Sequence, residues 1–422
     1  MDRLQIAFFG ATNSGKSTLV NALAGQEVSL VSELPGTTTD PVRKVIELPG
    51  LGPCVLVDTA GYGDPGALGA ERERRSRAVI DSTDIAVLLR SGHPEDDRWV
   101  QLLKTAQVPV VEIPPRTEKK SVIPDFEGSV ISDLKSSIIP DLKSNVIPDL
   151  IRNLQALQPD QKPRLLTDGL VGKDDIVVLV MPQDSEAPKG RLILPQVQVL
   201  RELLDLGCIP VCCQPDGLQR ALDGLSGRPA LTITDSQAFA KVNAILPRDY
   251  PLTSFSILLA GAKGDIRVFV DGAKAIDTLQ PGDRVLIAEA CTHVPDTEDI
   301  GRVKIPNLLR KKMADQVGHD TPVTPGAGST VTPGSGTSVT PGTGFAVTPG
   351  STGSLIVDIA AGNDFPDDLS PYSLIIQCGG CVASERLLRS RIRKAILTGV
   401  PITNYGIALA SLTGILDRVV IP

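Results

Sequence analysis

The stretch LQIAFFGATNSGKST, residues 4–18, decides the fold of the first third of this chain. Its apolar start predicts a strand over 6–9, and the residues after the loop predict a helix over 16–24. Between them, residues 10–17 fit the pattern G-x-x-x-x-G-K-[S/T], in which backbone N–H groups and a helix N-terminus cradle phosphates. We therefore predict a phosphate-binding loop with these nucleotide-binding residues: Gly10, Ala11, Thr12, Asn13, Ser14, Gly15, Lys16, Ser17 and Thr18.

Strands and helices continue to alternate beyond this loop, which is typical of parallel sheets covered by helices. The predicted strands lie over 55–57, 85–89, 108–111, 175–181, 209–213, 230–234, 256–260, 284–289, 355–359 and 373–377. Further helices are predicted over 197–206 and 385–397. The fold class is therefore α/β, and 422 residues are enough for about three domains.

Two more motifs accompany the loop and contribute to a nucleotide site. Asp58-Thr59-Ala60-Gly61 ends a predicted strand, and Gly36-Thr37-Thr38-Thr39-Asp40 stands where a switch loop is expected. In a phosphate-loop protein Lys16 contacts the β and γ oxygens and Ser17 ligates magnesium. We expect Asp58 to hold the same ion through water and the Gly61 N–H to face the γ-phosphate.

These three motifs together resemble the TrmE-Era-like GTPases. The resemblance implies that Thr38 senses magnesium and the γ-phosphate, so the predicted magnesium residues are Ser17, Thr38 and Asp58. Asn13 matches the members that use a potassium ion in place of an arginine finger, and we expect K⁺ to assist hydrolysis. The residues expected to act in GTP hydrolysis are Lys16, Asn13 and Thr38.

The chain departs from the GTPase pattern in two places. Tyr62 follows the Asp-Thr-Ala-Gly motif where Ras-like enzymes carry a water-orienting glutamine, so slow hydrolysis is expected. The chain also lacks an Asn-Lys-x-Asp motif, which recognises guanine. This motif is expected after the predicted strand 108–111, where the sequence reads Glu112-Ile113-Pro114-Pro115-Arg116 instead. Guanine selectivity is therefore implied by the resemblance alone.

Three cysteines and a histidine follow predicted strands in the last third of the chain. Cys291 and His293 come after the strand at 284–289, and Cys378 and Cys381 come after the strand at 373–377. If both strands lie in one sheet, the three thiols meet at its carboxyl edge. The residues themselves leave three possibilities open, namely a Cys₃His zinc site, an iron–sulfur cluster and a redox pair at Cys378 and Cys381.

Segments along the chain carry a second, wider resemblance. They are APKGRLILPQ (187–196), PLTSFS (251–256), ACTH (290–293), GRVKIP (301–306), CGGC (378–381) and PITNYG (401–406). Their order resembles the FeFe-hydrogenase maturation GTPases of the HydF family. The resemblance implies a P-loop GTPase domain over 1–165, an α/β dimerisation domain over 166–262 and a cluster-binding domain over 263–422.

This second resemblance also implies a function. The chain would be a homodimeric scaffold that binds GTP and Mg²⁺, carries a 4Fe–4S cluster and receives a di-iron precursor. The implied partners are two radical-SAM maturases and the FeFe-hydrogenase that accepts the precursor. The implied cluster thiolates are Cys291, Cys378 and Cys381. Gln377 stands where the family has a second histidine, so the fourth iron position is open to His293, another donor or an exchangeable ligand.

Two octapeptide repeats interrupt these domains. The first, SVIPDFEG, SVISDLKS, SIIPDLKS and NVIPDLIR, occupies 121–152, and its prolines disfavour a regular helix or central strand. We interpret it as an insertion in preference to a short solenoid, since four such units hardly bury a core. The second repeats VTPG over 320–353, with a composition typical of a disordered linker.

Net charge and composition limit the other functions considered. A net charge of −7 and a pI near 5.2 argue against a sequence-independent nucleic-acid binder. The alternative is a TrmE-Era-like GTPase that acts on RNA or the ribosome and holds a structural Cys₃His zinc. We see no signal peptide and no apolar run of membrane-spanning length, so a cytoplasmic location is expected.

The remaining cysteines and single aromatic residues receive structural interpretations. Cys54, Cys208 and the pair Cys212-Cys213 are predicted to pack in cores. Trp99 is expected to pack against the first domain, and His93 and His319 are expected at the surface.

Overall fold

A computed structural model describes the residues 3–25, 41–65, 67–115, 146–157, 164–183, 192–290, 299–317, 355–362, 364–381 and 383–422. The chain forms two compact units. The first comprises Met1–Pro163 and Ser384–Ser390, and the second comprises Arg164–Ala383 and Arg391–Pro422. The phosphate-binding loop lies in the first unit and the Cys-x-x-Cys motif in the second.

The first unit is built on a sheet whose described strands stand in the order β2-β3-β1-β4-β5. The strands are β1 (Leu4–Gly10), β2 (Val42–Leu48), β3 (Gly52–Asp58), β4 (Ile85–Leu89) and β5 (Val110–Ile113). The helices are α1 (Lys16–Leu23), α2 (Ala67–Ile80), α3 (Asp96–Thr105) and α4 (Ile147–Ala156). β2 is antiparallel to β3, and the other pairs are parallel.

The apolar sequence of β1 reflects burial on both faces of this sheet. Ile6 and Phe8 pack in one hydrophobic cluster, and Ala7 and Phe9 pack in another. Successive side chains of a strand point to opposite faces, so a continuous apolar run is what a doubly covered strand requires. The α/β class predicted from the sequence is confirmed, and the predicted packing of Trp99 is confirmed by its complete burial.

The end of the first octapeptide repeat differs from its prediction. Most of the repeat, residues 121–145, lies outside the described residues, as does the VTPG repeat at 320–353. The last unit forms the beginning of α4, with Pro148 in the first turn. A proline is tolerated there because the N–H groups of a first turn have no partner within the helix. Leu150 and Leu154 of this helix are buried against the sheet.

The second unit contains, within its described segments, two parallel sheets. The first has β6 (Ile176–Val180), β7 (Ile209–Cys213), β8 (Leu231–Thr234) and β9 (Leu252–Ser254). The second has β10 (Arg284–Glu289), β11 (Ile356–Ala361), β12 (Leu374–Gln377) and β13 (Ile402–Asn404). The α-helices are α5 (Leu194–Asp205), α6 (Leu218–Asp223), α7 (Phe239–Ile245), α8 (Phe255–Lys263), α9 (Ile266–Ala273), α10 (Ile305–Val317), α11 (Glu385–Thr398) and α12 (Tyr405–Leu412). The first residues of α11, up to Ser390, are counted with the first unit, and the helix belongs to the second unit from Arg391 onward.

The two sheets of this unit repeat one topology. Their orders are β7-β6-β8-β9 and β11-β10-β12-β13, so each places its first strand between its second and third. In both, the fourth strand ends on a residue that caps the following helix. Ser254 accepts a hydrogen bond from Ile257 N at 3.3 Å, and Asn404 accepts one from Ile407 N at 2.9 Å. One hydrophobic core joins the sheets, and it includes Val178 of β6 and Ile375 of β12.

Two predictions for this unit are wrong. The predicted strand over 256–260 is part of helix α8, because its apolar residues are buried on all sides and a short apolar run does not distinguish a buried helix from a strand. Cys212 is exposed and Cys213 is half-buried, since β7 is an edge strand of its sheet in the part of the chain that the structure describes. Cys54 and Cys208 are buried as predicted.

Helix length and hydropathy bear on membrane insertion. Within the described segments, no helix is both long enough and apolar enough to span a bilayer.

Candidate functional site

The phosphate-binding loop connects β1 to α1 and has a backbone that depends on glycine. Gly15, at φ 91°, precedes the first turn of α1 in a left-handed conformation that other residues seldom adopt. A Cβ added to Gly10 would lie 2.7 Å from Ser14 Oγ and 2.8 Å from Leu89 O, so no side chain fits there. The loop can therefore close tightly over the N-terminus of α1, where phosphates bind.

Lys16 is buried inside this loop. Its Nζ donates to Gly10 O at 3.0 Å and to Ala11 O at 2.9 Å. Burial lowers the pKa of Lys16 to about 8, and the nearby carboxylate of Asp58 acts in the opposite direction. The ammonium is thus held by loop carbonyls at a position where a phosphate would favour its charged form.

Ser17 and Asp58 meet at the carboxyl end of β3. Ser17 Oγ donates to Asp58 Oδ2 at 2.5 Å, and Asp58 Oδ1 is buried and has no hydrogen-bond partner among the described residues. Burial raises the pKa of Asp58, while the Ser17 hydrogen bond and the Lys16 charge act in the opposite direction. A hydroxyl beside a carboxylate oxygen lacking a donor suits Mg²⁺, which prefers hard oxygen ligands. These two residues fit a magnesium ion.

The segment after Asp58 lies directly on the phosphate-binding loop. Thr12 N donates to Tyr62 O at 3.0 Å, and Tyr62 N donates to Gly10 O at 3.4 Å. A Cβ on Gly61 would lie 2.5 Å from the Cα of Thr12, so this close approach requires glycine. The Gly61 backbone is therefore adjacent to the loop that would hold the phosphates.

Tyr62 anchors this segment in the protein interior. Its hydroxyl donates to Asp96 Oδ1 at 2.6 Å, and its ring stacks on Trp99 with the centroids 5.0 Å apart. Burial, followed by the hydrogen bond to Asp96, raises the pKa of Tyr62, so the phenol stays neutral. His93 packs against the same ring at 5.9 Å and is half-buried, which differs from the predicted surface position.

The remaining predicted nucleotide residues are only partly placed. Asn13 has a left-handed backbone with φ 63° within the loop. Thr38 and the rest of its motif lie outside the described residues, and so do Cys291, His293 and His319.

Cys378 and Cys381 follow β12 at the carboxyl edge of the second sheet of their unit. β10 and β12 are adjacent and parallel strands of one sheet, which is the condition stated for bringing the thiols together, and the chain reverses its direction of strand addition between them. Ligand sites of α/β sheets occur at such switch points. Ala290, the last described residue before Cys291, donates its N–H to Cys378 Sγ at 3.1 Å. The chain therefore leaves β10 beside Cys378.

The surroundings of Cys378 suit a sulfur that bears negative charge. Its Sγ accepts the Ala290 N–H and an N–H from Gln377 Nε2 at 3.4 Å, and the Gly380 N–H also interacts with it. Burial raises the pKa of Cys378 to about 11, although these backbone N–H groups and Arg391 favour the thiolate. Without a bound cation the group is a neutral thiol, and a bound metal would replace its proton.

A buried lysine donates hydrogen bonds to backbone carbonyls in and after the Cys-Gly-Gly-Cys loop. Lys263 of α8 donates to Gly380 O at 3.2 Å and to Ala383 O at 2.9 Å. Gly380 has φ 66°, which favours glycine, and a Cβ on Gly379 would lie 3.1 Å from Ser256 Oγ. The loop geometry and sulfur environment fit thiolate ligation of a metal or cluster, although the described residues include no group of three or more His, Cys, Asp or Glu placed for a metal.

Two residues at this site were not predicted from the sequence. Lys263 and Arg391 are cations on helices, and both are buried beside the cysteine loop. The sequence feature that could have indicated their burial is their spacing from apolar residues on the same helix face. Arg391 stands three residues after Leu388 and four before Ala395, both of which are buried.

The chain matches three known protein families. Residues 166–264 match the hydrogen maturase F dimerization domain, and residues 267–327 and 347–422 match the hydrogen maturase F tetramerization domain. Together these two matches cover more than half of the chain. Residues 5–114 match the 50S ribosome-binding GTPase family.

Curated relatives are similar to a part of this chain. The tRNA modification GTPase MnmE of Nitrosomonas europaea is 36% identical over 131 residues, covering 28% of this chain and 29% of the relative. The same protein of Nitrosospira multiformis is 48% identical over 96 residues, covering 22% and 21%. The chain thus spans under a third of the length of these relatives.

Solved structures show low overall similarity. Era in complex with MgGDPNP and nucleotides of 16S ribosomal RNA is 18% identical, with a TM-score of 0.29, over 50% of this chain and 92% of that one. The G domain of the T. maritima FeoB iron transporter is 21% identical, with a TM-score of 0.20, over 33% and 98%.

Proposed function

We infer the function of this chain from its family, because it belongs to the hydrogen maturase F family of hydrogenase maturation GTPases. The chain is a GTP-hydrolysing scaffold that carries a 4Fe–4S cluster and a di-iron precursor. It delivers this precursor to FeFe-hydrogenase during assembly of the active-site cluster, in the cytoplasm. The supporting observation is that a phosphate-binding loop and a hydrogen-bonded cysteine loop occur in one chain.

In the nucleotide half, the chain's own groups bind and orient GTP. Lys16 contacts the β and γ oxygens, and the Gly61 N–H faces the γ-phosphate. Ser17, Asp58 and Thr38 hold the magnesium ion, which neutralises phosphate charge when bound. Asn13 would help to hold a potassium ion, which would supply positive charge in place of an arginine finger. Tyr62 is buried and neutral and does not orient water, so hydrolysis is slow.

In the cluster half, Cys291, Cys378 and Cys381 are the thiolate ligands. His293 is the candidate for the fourth position, unless an exchangeable ligand or the incoming precursor occupies it. We do not assign Gln377 to this role, because its amide already donates to Cys378 and accepts from Arg391. An open fourth position suits a carrier, since the precursor needs a place to bind.

The assembly is a homodimer, with the domain boundaries 1–165, 166–262 and 263–422. Matches to dimerization and tetramerization domains support oligomerization. We assign the dimer contact to β7, an edge strand of its sheet, and to the outer face of α5. This surface is defined by the exposed apolar side chains of Leu194, Val197, Leu204 and Ile209. A second copy would cover both the apolar side chains and the strand edge.

Anaerobic reconstitution with iron and sulfide, followed by EPR and metal analysis, tests the cluster half. The wild-type chain should hold about four irons and show a reducible cluster. Cys378→Ser and Cys381→Ser should each lose most of the iron. Cys212→Ser, which removes an exposed thiol, serves as the matched control and should retain it. Stoichiometric zinc without a reducible cluster would contradict the proposal.

A second candidate function rests on the MnmE relatives and the ribosome-binding GTPase match. It is a GTPase acting on RNA or the ribosome, with Cys291, Cys378, Cys381 and His293 holding zinc. The similarity to MnmE covers less than a third of the chain and leaves the rest of it unexplained. Zinc in the purified protein together with GTP-dependent RNA binding would favour this candidate over the first.

A further inference from the structure

A buried guanidinium joins the ends of three neighbouring strands beneath the cysteine loop. Arg391 is 1% exposed and donates to Glu289 O, at the end of β10, at 3.2 and 3.3 Å. It also donates to Gly362 O, just after β11, at 2.6 Å, and to Gln377 Oε1, at the end of β12, at 2.8 Å. Its guanidinium lies 4.9 Å from the centroid of the Phe365 ring.

These contacts determine the orientation of the Gln377 amide. A guanidinium only donates hydrogen bonds, so the amide oxygen of Gln377 must face Arg391. The amide NH₂ group then faces away, and it donates to Cys378 Sγ at 3.4 Å. Gln377 is itself 1% exposed, so solvent does not compete for either end of the amide. The two side chains thus form a relay from a fixed positive charge to the sulfur.

The first sheet of the same unit has the corresponding position without this relay. Thr234 pairs with Val180 and Ser254 in the register in which Gln377 pairs with Ala288 and Asn404. Thr234 Oγ1 donates to Val180 O at 3.0 Å, and an aspartate follows it in place of Cys378. The relay therefore occurs in the sheet that carries the cysteine, and the topology that the two sheets share does not require it.

We propose that Gln377 and Arg391 are positioning residues for Cys378 that raise the reduction potential of the cluster held there. Reduction adds an electron to a cluster whose thiolate ligands are already negative. Hydrogen bonds to a ligating sulfur and a nearby positive charge stabilise the reduced form more than the oxidised form. This inference rests on the proposed function, because it requires a cluster at Cys378.

A midpoint potential measured by EPR-monitored redox titration of the reconstituted full-length chain tests the relay. Gln377→Leu keeps most of the volume but removes the donor to sulfur, and it should shift the potential to a more negative value. The expected shift is about tenfold in the reduction equilibrium, or about 59 mV for one electron. Arg391→Lys keeps the positive charge but loses the planar guanidinium that donates to several acceptors at once. It should cause a smaller shift of the potential in the same direction.

Arg389→Gln is the matched control, because it removes a cation from the exposed face of the same helix. It should leave the potential unchanged. Iron content and thermal unfolding of each variant show whether the site and the fold are intact. A wild-type cluster whose potential is the same in Gln377→Leu and Arg391→Lys would overturn the relay alone. A wild-type chain that binds no cluster would overturn the proposed function, and the relay with it.

Discussion

At the scale of single residues, the most informative group is Lys16. Its ammonium is buried among carbonyl oxygens, and burial lowers its pKa to about 8. A bound phosphate favours the charged form, so nucleotide binding should take up a proton at pH values above this pKa. The same residue therefore makes phosphate affinity dependent on pH.

We predict that the affinity for Mg-GTP falls by about fourfold between pH 7 and pH 8.5, because most Lys16 side chains are neutral at the higher pH. Isothermal titration calorimetry in buffers of different ionisation enthalpy would detect the proton taken up at pH 8.5. Lys16→Met should abolish this uptake and weaken binding strongly. The same change at the exposed Lys104 should alter neither. An affinity independent of pH over this range would contradict the prediction.

At the scale of elements, the connection from β3 to α2 is held by Tyr62. Asp96, at the start of α3, is 1% exposed and accepts from the Tyr62 hydroxyl and from the N–H groups of Ser91 and Gly92. The segment carrying Gly61 is therefore attached to both the phosphate loop and α3. A movement of this segment during GTP hydrolysis would either break these hydrogen bonds or move the phosphate loop and α3 together with the segment.

Tyr62→Phe should lower the free energy of unfolding by about 2 kcal/mol, because a buried carboxylate loses one of its donors. Urea unfolding followed by the emission of Trp99, the single tryptophan of the chain, measures the effect. The half-buried Tyr250 provides a control in the other unit, where the same change should have little effect on this transition. Equal stability of Tyr62→Phe and wild type would show that the hydrogen bond contributes nothing.

At the scale of the whole molecule, the surface formed by Leu194, Val197, Leu204 and Ile209 is proposed to bind a second copy. Leu204→Glu places a charge at a residue that is 56% exposed, and the cost of burying that charge should shift the protein from dimer to monomer. Light scattering after size-exclusion chromatography reports the mass. Ala244→Glu, at an exposed position of α7 in the same unit, should remain dimeric. A Leu204→Glu variant with the wild-type mass would assign the interface elsewhere.

Local sequence patterns were sufficient for much of this molecule. The phosphate-binding loop and the strands that precede or end at Asp58 and Cys378 were predicted from residues close together in the chain. The family was predicted from several such local motifs and their order, and it is confirmed. Such features depend on hydrogen bonds and side-chain alternation within a few residues, which a sequence displays directly. Helix α8 is the exception, because burial on all sides removes the periodicity that identifies a helix.

The surroundings of the cysteine loop depended on packing between distant parts of the chain. Ala290 and Cys378 are 88 residues apart, and they meet because β10 and β12 are neighbours in a sheet. Lys263 reaches the loop from another sheet's helix, and Arg391 reaches Gln377 across the ends of three strands. Strand order and the shared core bring these groups together, since hydrophobic burial acts between segments regardless of their separation in sequence.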